Sequence, residues 1–210
     1  MPSTRNRRRR TSIYASLGTL AVALPIAALL TDRAPYPYSQ RRLLDVELPY
    51  LTNKHLERQL EPRSGQRILE VGPGTGLQTM HVARRLGDAG RLDVVDIQAD
   101  MIDHIARECA RRNLTNVHPM QADATALPFD DNTFDSVYMM TVLGEIPAAG
   151  AAVREISRVL KPNGTLVVGE FLDRHWISRK HLTRIANAAG LHEVRRHGRF
   201  WGYTTAFRAS

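Results

Sequence analysis

The sequence has very few of the residues that build disulfide frameworks or metal centres. Its single cysteine, Cys109, lies within a predicted helix over 101–112, so no disulfide framework can form and a reducing compartment is compatible. The eight histidines show no H-E-x-x-H or similar ligand spacing, and we therefore expect no structural metal. Internal repeats are also absent. We expect Cys109 to be buried or half-buried filler.

Charge is distributed unevenly along the 210 residues, whose net charge is +8. Residues 1–42 carry eight arginines and one acidic side chain, and residues 174–210 carry eight basic side chains and only Glu193. The intervening residues 43–173 are net acidic. The isoelectric point of about 10.2 therefore describes the two ends of the chain and not its centre.

An apolar strand leads into three closely spaced glycines in residues 68–76, ILEVGPGTG. Gly72, Gly74 and Gly76 lack the Cβ that would keep a ligand away from the backbone N–H groups of a helix start. Their G-x-G-x-G spacing differs from the G-x-G-x-x-G of dinucleotide-binding folds. With no Tyr-x-x-x-Lys pair in the chain, this spacing argues against a nicotinamide-dependent oxidoreductase. A tight structural turn is the alternative interpretation.

Further strands are predicted over 91–96, 117–121, 134–140 and 165–170, in the order of a doubly wound sheet. Asp96 ends the second strand, where an acid faces a ribose bound over the glycine loop. Asp123 follows the third strand. The loop after the fourth strand, TVLGEIP, contains Glu145, the best-placed carboxylate for orienting or deprotonating an acceptor. Capping of the helix that begins near Ala148 is at least as good an explanation of Glu145.

Four motifs in this order resemble the class I S-adenosylmethionine-dependent methyltransferases, and most of all the branch that includes the quinone-biosynthesis enzymes. They are ILEVGPGTG, VVDIQADMID, QADATALPFDDNTFDSVYMM and EISRVLKPNGTLVVGEF, which together span roughly residues 66–171. The resemblance implies an α/β fold with a doubly wound, seven-stranded, mostly parallel sheet whose last strand is antiparallel. A helix over 178–189 and strands over 191–196 and 201–207 agree with it.

The resemblance also implies S-adenosyl-L-methionine as the cofactor. The residues that it assigns to that cofactor, from the methionine end to the adenine end, are Gly72, Gly74, Gly76, Asp96, Ile97, Asp123 and Ala124. Asp96 is expected to hold the ribose, with Ile97 against one adenine face. Glu70 is expected to orient the glycine loop. For Asp123, capping of a turn is the alternative.

Residues 1–33 combine a basic arm with an apolar stretch and form the first of three predicted regions. Arg5 and 7–10 precede 11–31, which contain no charged residue and approach the ~20 residues of a membrane-crossing helix. Three interpretations stay open: a membrane anchor, a helix lying in the membrane interface, and a soluble helix packed on the domain. Because arginines beside an apolar helix attract anionic headgroups, we favour the cytoplasmic face of a membrane, contacted through residues 5–31, over a purely cytoplasmic location.

Residues 34–65 are predicted to form a cap over the third region, the methyltransferase domain over 66–210. Ser39 and Thr52 are candidate N-caps of two short helices. Tyr36 and Tyr38 could bring their rings and hydroxyls to the methionine end of the cofactor, and a rigid Pro-Tyr linker is the alternative. His175 is a secondary candidate for contact with the substrate, although a lone histidine in a basic loop is usually on the surface.

The connection over 172–177 is too short to roof an acceptor site, which favours a hydrophobic or amphiphilic acceptor presented from a membrane. We therefore predict methyl transfer to O, S or C of a small or lipid-like acceptor. One alternative is an RNA or DNA methyltransferase that uses the arginine arm, which is disfavoured because no aromatic residues interleave with the arginines. A non-catalytic S-adenosylmethionine-binding membrane module is another. The sequence leaves the acceptor and the oligomeric state open.

Overall fold

A computed structural model describes residues 35–39 and 48–210. Seven strands form one sheet: β1 Arg67–Val71, β2 Arg91–Asp96, β3 Val117–Gln121, β4 Phe134–Met140, β5 Leu160–Phe171, β6 Leu191–Arg199 and β7 Gly202–Ala209. Their order is β3-β2-β1-β4-β5-β7-β6, and β7 runs antiparallel to both of its neighbours. The predicted seven-stranded, mostly parallel sheet is confirmed.

Within the described residues, five α-helices accompany the sheet: α1 Asn53–Leu60, α2 Thr79–Leu86, α3 Ala99–Arg111, α4 Ala149–Val159 and α5 Arg179–Ala188. Two of them begin at side-chain caps, which satisfy backbone N–H groups that have no partner within the helix. The predicted cap Thr52 accepts a hydrogen bond from the backbone N–H of His55. Ser178 does the same for His181 at the start of α5.

The central strands β1, β2 and β4 bury side chains on both faces, which is why they read as nearly continuous apolar runs. Leu69 and Val71 pack with α4 and α5 on one face. Ile68, between them in sequence, points to the other face and packs with α1, α2 and α3. Successive side chains of a strand alternate between faces, so each central strand contributes to two cores. Cys109 is buried in the second core, as predicted.

Strand β5 corrects one predicted boundary. The fifth strand is predicted to begin at Thr165, after the segment LKPNG. The helix ends at Val159, and Leu160 already pairs with Phe134 of β4. The pairing register shifts between Phe134 and Ser136, so the Pro/Gly segment forms an irregularity within the strand and not a separate turn.

Two predictions concern residues outside the described part of the chain. The apolar helix within 11–31 lies wholly outside it, and the helix expected to start at Ser39 lies mostly within 40–47, which are not described. Over 35–39 and 48–210, no helix has the length and hydropathy needed to cross a bilayer. The described residues belong to one compact unit, Pro35–Ser210.

Candidate active site

The carboxyl ends of β1 and β4 lie side by side at the centre of the sheet. Strands β2 and β3 extend from β1 on one side, and β5, β7 and β6 extend from β4 on the other. In open α/β sheets the ligand crevice forms where the strand order reverses, at the carboxyl edge. The loops that follow β1, β2, β4 and β5 therefore define the candidate site.

The glycine loop after β1 has a backbone conformation that favours glycine. Gly72, Gly74 and Gly76 have φ values of +70°, +53° and +87°. A Cβ on Gly72 would lie 2.3 Å from Val142 Cγ2, and one on Gly76 would lie 2.9 Å from Ile105 Cδ1. Gly72 and Gly76 are thus required by contacts within the protein itself. The loop is packed directly against the segment that follows β4.

Glu70 supports this loop from beneath. Its carboxylate is buried and accepts a hydrogen bond of 2.5 Å from the hydroxyl of Thr79, the first residue of α2. Burial raises the pKa of Glu70 to about 7, partly offset by the hydrogen bond from Thr79 and by the nearby hydroxyl group of Tyr138. This geometry is consistent with the expected role of Glu70, which joins β1 to the start of the helix beyond the glycines.

The tip of β2 combines a carboxylate with an exposed apolar side chain. Asp96 accepts a hydrogen bond of 2.8 Å from the backbone N–H of Gln98, and burial raises the pKa of Asp96. Ile97 beside it is 56% exposed. In the glycine loop, the Thr75 hydroxyl is buried and has no hydrogen-bond partner in the described part of the chain.

Asp123 caps a turn, the alternative that the sequence left open. Its Oδ1 accepts hydrogen bonds of 2.8 Å from both the N–H and the hydroxyl of Thr125. The backbone bond from Thr125 lowers the pKa of Asp123. The side chain is exposed while the neighbouring Ala124 is buried. Its contact with the adenine stays a prediction.

Glu145 lies in a single turn of 3-10 helix, Leu143–Glu145, after β4. The N-cap residue of α4, Ala148, makes no side-chain cap hydrogen bond, and the capping role weighed for Glu145 stays an alternative. Burial, reinforced by the negative charges of Asp173 and Asp96, raises the pKa of Glu145 to about 8. His175 Nδ1 lies 3.5 Å from Glu145 Oε1. Contrary to the surface position expected for a lone histidine, His175 is buried.

Tyr36 connects three of the loops around the site. Its backbone N–H donates to the Glu145 carboxylate, and its carbonyl oxygen accepts a hydrogen bond of 3.0 Å from Gln98 Nε2. The Tyr36 ring meets the His175 ring edge-on, with centroids 5.3 Å apart, and the Arg174 guanidinium lies 4.4 Å from its centre. Residue 36 therefore spans the site from the Asp96 loop to the His175 loop.

Tyr38 points elsewhere. Its hydroxyl lies 3.4 Å from His104 Nδ1 and 3.5 Å from Arg107 Nη2, both on α3. The two tyrosines, grouped in the sequence as candidates for the methionine end, thus occupy different surroundings.

Sequence reasoning missed Glu170 and Arg174. Glu170, at the end of β5, is buried and accepts hydrogen bonds from the backbone N–H groups of Gly144 and Leu143. Burial raises its pKa well above the usual range, and Oε1 has no partner in the described residues. An acid at the tip of a parallel strand was the available signal, as at Asp96. Nothing in the sequence marked Arg174.

The segment after β4 also stores backbone strain. Thr141 has a φ of +57°, a conformation that a β-branched residue rarely adopts. Its N–H donates a hydrogen bond of 2.7 Å to the Gly169 carbonyl oxygen, and its hydroxyl donates one of 2.7 Å to the Met140 carbonyl oxygen. Such outliers persist where surrounding structure holds them, and they cluster at functional sites.

Comparison with known proteins agrees with this geometry. Residues 68–164 match the family model described as a methyltransferase domain. The ubiquinone/menaquinone biosynthesis C-methyltransferase UbiE of Vibrio parahaemolyticus is 41% identical over 111 residues, which are 52% of this chain and 42% of that protein. That of Shewanella halifaxensis is 39% identical over 121 residues, 56% and 48% of the respective lengths. Residues 68–164 therefore form a methyltransferase domain.

The solved structures that resemble this methyltransferase domain define its fold. A SAM-dependent methyltransferase from Aquifex aeolicus superposes with a TM-score of 0.76 at 19% identity, covering 84% of this chain and all of that one. The [4+2]-cyclase SpnF gives 0.66 at 22% identity, covering 84% and 83%. Because a protein named as a cyclase has the same fold, the fold by itself does not specify the reaction. The chain also spans less than half the length of the UbiE relatives that it matches.

The methyltransferase domain implies S-adenosylmethionine as cofactor, and the residues at the carboxyl edge fit it. Asp96 offers carboxylate oxygens to a ribose diol, and Ile97 offers an exposed apolar surface to a purine ring. The unpartnered Thr75 hydroxyl suits the polar methionine end. When bound, the cofactor supplies a methyl group on an electrophilic sulfonium, which needs alignment with an acceptor more than activation.

Proposed function

We propose that this chain is an S-adenosylmethionine-dependent methyltransferase whose acceptor is a small hydrophobic or amphiphilic molecule at a membrane surface. The proposal rests on one observation. Glu145, His175 and Tyr36 lie close together at the carboxyl edge of the sheet. These residues border the side of the crevice next to β4 and β5, whereas Asp96 and Ile97 border the side next to β2. Donor and acceptor would thus occupy neighbouring halves of one crevice.

The chemistry of Glu145 suits an acceptor that must lose a proton. A carboxyl whose pKa is about 8 can accept a proton from a phenol or enol far better than an ordinary surface carboxylate. The backbone N–H of Tyr36 favours the charged form of the Glu145 carboxyl group, and His175 Nδ1 lies 3.5 Å from Glu145 Oε1. Removal of a hydroxyl proton makes an aromatic ring a better nucleophile at oxygen or at carbon.

Two observations support an apolar acceptor: the short connection over the site and the substrates for which the relatives are named. Only residues 172–178 join β5 to α5, and Leu172 among them is 52% exposed. The relatives at about 40% identity are named for C-methylation in ubiquinone and menaquinone biosynthesis. We therefore propose a prenylated phenol or quinol ring as the acceptor class. A location on the cytoplasmic face of a membrane belongs to the same proposal.

The test is methyl transfer by the full chain from methyl-labelled S-adenosylmethionine to a panel of acceptors. The panel contains prenylated phenols and quinols in vesicles, short-chain soluble analogues, thiols, polar metabolites and RNA. We expect label on the phenols or quinols. Label only on polar metabolites or RNA would overturn the acceptor class. Cofactor binding without any labelled product would indicate a non-catalytic module instead.

A further inference from the structure

The hairpin that joins β6 to β7 has an unusual turn. Arg199 pairs with Gly202, so Phe200 and Trp201 alone form the connection. Two-residue hairpin turns strongly favour glycine, asparagine and aspartate, because these residues tolerate the required backbone conformations. The positive φ of +106° lies instead at the flanking Gly198. Two aromatic residues in a two-residue turn are contrary to this residue preference. Such departures from local preference are expected at functional surfaces.

The two aromatic residues have different surroundings. Trp201 packs inward, with its ring 5.0 Å from that of Tyr50 and 5.9 Å from that of Phe171. Phe200 projects outward and is 77% exposed. Lower on the same hairpin, the ring of His197 stacks on that of His55 from α1, with centroids 4.5 Å apart. The tip is therefore held in place while Phe200 faces solvent.

The hairpin tip lies at the edge of the sheet that carries the active site. The backbone N–H of Leu172 donates a hydrogen bond of 2.9 Å to the carbonyl oxygen of Trp201. Leu172 is 52% exposed and follows β5 in the loop that also carries His175. Leu172 and Phe200, both exposed and apolar, thus lie in two segments that this hydrogen bond joins, one of them the loop on the proposed acceptor side.

The charge beside this apolar pair is positive. Arg199 is exposed and makes no ion pair with a described residue. Residues 174–210 contain eight basic side chains and a single acidic one, Glu193. Basic side chains also line an open groove of about 680 Å³ between α5 and β6, among them Arg179, Lys180, Arg184 and Arg196. The positive character therefore continues along β6 beyond the tip.

We infer that the tip formed by Arg199, Phe200 and Leu172 docks into an anionic lipid surface, beside the site that would take the lipid-like acceptor. Phe200 and Leu172 enter the boundary between headgroups and acyl chains, and Arg199 contacts anionic headgroups. The inference rests on the proposed function, since its purpose is to bring a membrane-borne acceptor to Glu145 and His175. It adds a lipid contact in the folded domain to any contact made by residues 5–31.

A site-specific label tests this contact in the full chain, whatever the N-terminal residues do. Phe200→Cys is labelled with a polarity-sensitive fluorophore and mixed with vesicles of phosphatidylglycerol and phosphatidylcholine that carry a spin-labelled quencher. Met120→Cys is the matched control, because Met120 is 39% exposed on β3, the opposite edge strand. The native thiol, Cys109, is buried, so the parent protein reports background labelling.

We expect quenching at position 200 and little at position 120. Absence of quenching at position 200, or equal quenching at both positions, would overturn the inference. A change at position 200 that follows protein concentration without lipid would also overturn it, in favour of a second copy of the chain covering the tip. Equal quenching in vesicles of phosphatidylcholine alone would remove the role given to anionic lipid.

Substitutions measure the size of the contact. Phe200→Ser should weaken vesicle binding about tenfold and Arg199→Glu at least about fivefold. Val194→Ser, at an apolar position of β6 that is 44% exposed, and Arg84→Glu on α2 should each have little effect. Equal effects of Phe200→Ser and Val194→Ser would contradict the inference.

Phe200→Ser and Arg199→Glu also separate this inference from the proposed function. They should raise the KM for a vesicle-borne acceptor severalfold and leave kcat and the KM for a soluble analogue unchanged. If the label inserts but no acceptor is methylated, the proposed function fails and the lipid contact stands. If methylation proceeds equally on vesicles with all variants, the lipid contact fails and the enzyme stands.

Discussion

His175 and Glu145 meet because Gly144 lets the two loops that carry them touch. A Cβ on Gly144 would lie 1.6 Å from the His175 carbonyl oxygen. With glycine at this position, His175 Nδ1 comes within 3.5 Å of Glu145 Oε1. The buried Glu170 accepts hydrogen bonds from the N–H groups of Leu143 and Gly144 in the same segment. The proposed acceptor side of the site therefore depends on a close contact between two backbones.

Gly144→Ala should separate these loops and lower turnover at least about tenfold. The added methyl group cannot be accommodated without moving backbone, and misplacement by 1 Å can cost about a hundredfold in rate. Gly150→Ala is the control, because its Cβ would meet only Arg154 Nη1, at 3.7 Å. Within helix α4 that change should be neutral or stabilise by up to about 1 kcal/mol. Steady-state kinetics and thermal unfolding distinguish the two; equal behaviour would contradict this account.

Glu145→Gln should remove a rise in activity with pH. With a pKa of about 8 in the free protein, the parent should show kcat/KM increasing as the pH passes through about 8, because only the deprotonated carboxylate can accept a proton. The variant should be slower and lack this limb. Glu108→Gln, at a surface ion pair with Arg112, is the control and should keep it. A profile unchanged in Glu145→Gln would remove Glu145 from the mechanism.

The same pKa predicts an effect on stability. Because the pKa of Glu145 is raised on folding from about 4.5 to about 8, its contribution is complete below pH 4.5 and is lost as the pH rises through 8. Relative to the parent, Glu145→Gln should therefore gain stability at pH 9 compared with pH 4. Thermal unfolding at both values measures this, and a difference of the opposite sign would show that Glu145 is not buried as described.

Gly72→Ala should damage the cofactor loop through two separable terms. The left-handed φ of +70° costs roughly 1–2 kcal/mol with a side chain, and the new Cβ would lie 2.3 Å from Val142 Cγ2. Gly65 has a similar φ, +82°, and nothing lies within 4 Å of a Cβ added there. Gly65→Ala therefore measures the cost of the left-handed backbone conformation alone. We expect Gly72→Ala to be the more destabilising and to lose affinity for S-adenosylmethionine. Calorimetry and chemical unfolding check both points.

Asp96→Asn should weaken the binding of S-adenosylmethionine about tenfold to a hundredfold, because hydrogen bonds to a charged group are worth roughly 1.5–3 kcal/mol. The amide oxygen can still accept from the N–H of Gln98, so the turn should survive. Asp123→Asn, which likewise keeps its turn with Thr125, is predicted to have a smaller effect because Asp123 is exposed. Calorimetric titration measures both; a larger loss in Asp123→Asn would reverse the assignment.

The elements that the sequence predicts correctly depend on residues that are adjacent in the chain. Strands β2, β3 and β4 have the predicted bounds, and Thr52 caps the predicted helix, since apolar period and capping chemistry are properties of a few adjacent residues. Strand β5 begins earlier than expected because Leu160 finds a partner in Phe134, which its own neighbours in sequence do not reveal. His175 was expected on the surface. It is buried because residues distant in the sequence pack against it, and these cannot be read from its neighbours in the chain.

The sequence by itself determined the succession of strands along the chain, the glycine loop between β1 and α2, and the acid at the tip of β2. Each of these features depends on a short run of adjacent residues. Only the tertiary structure decided that Tyr36 bridges the Asp96 and His175 loops, and that the hairpin tip with Phe200 is hydrogen-bonded to Leu172 through Trp201. These relations join segments distant along the chain, and they arise from the packing of one edge of the sheet. The cofactor side of the site was therefore visible in the sequence, and the acceptor side needed the fold.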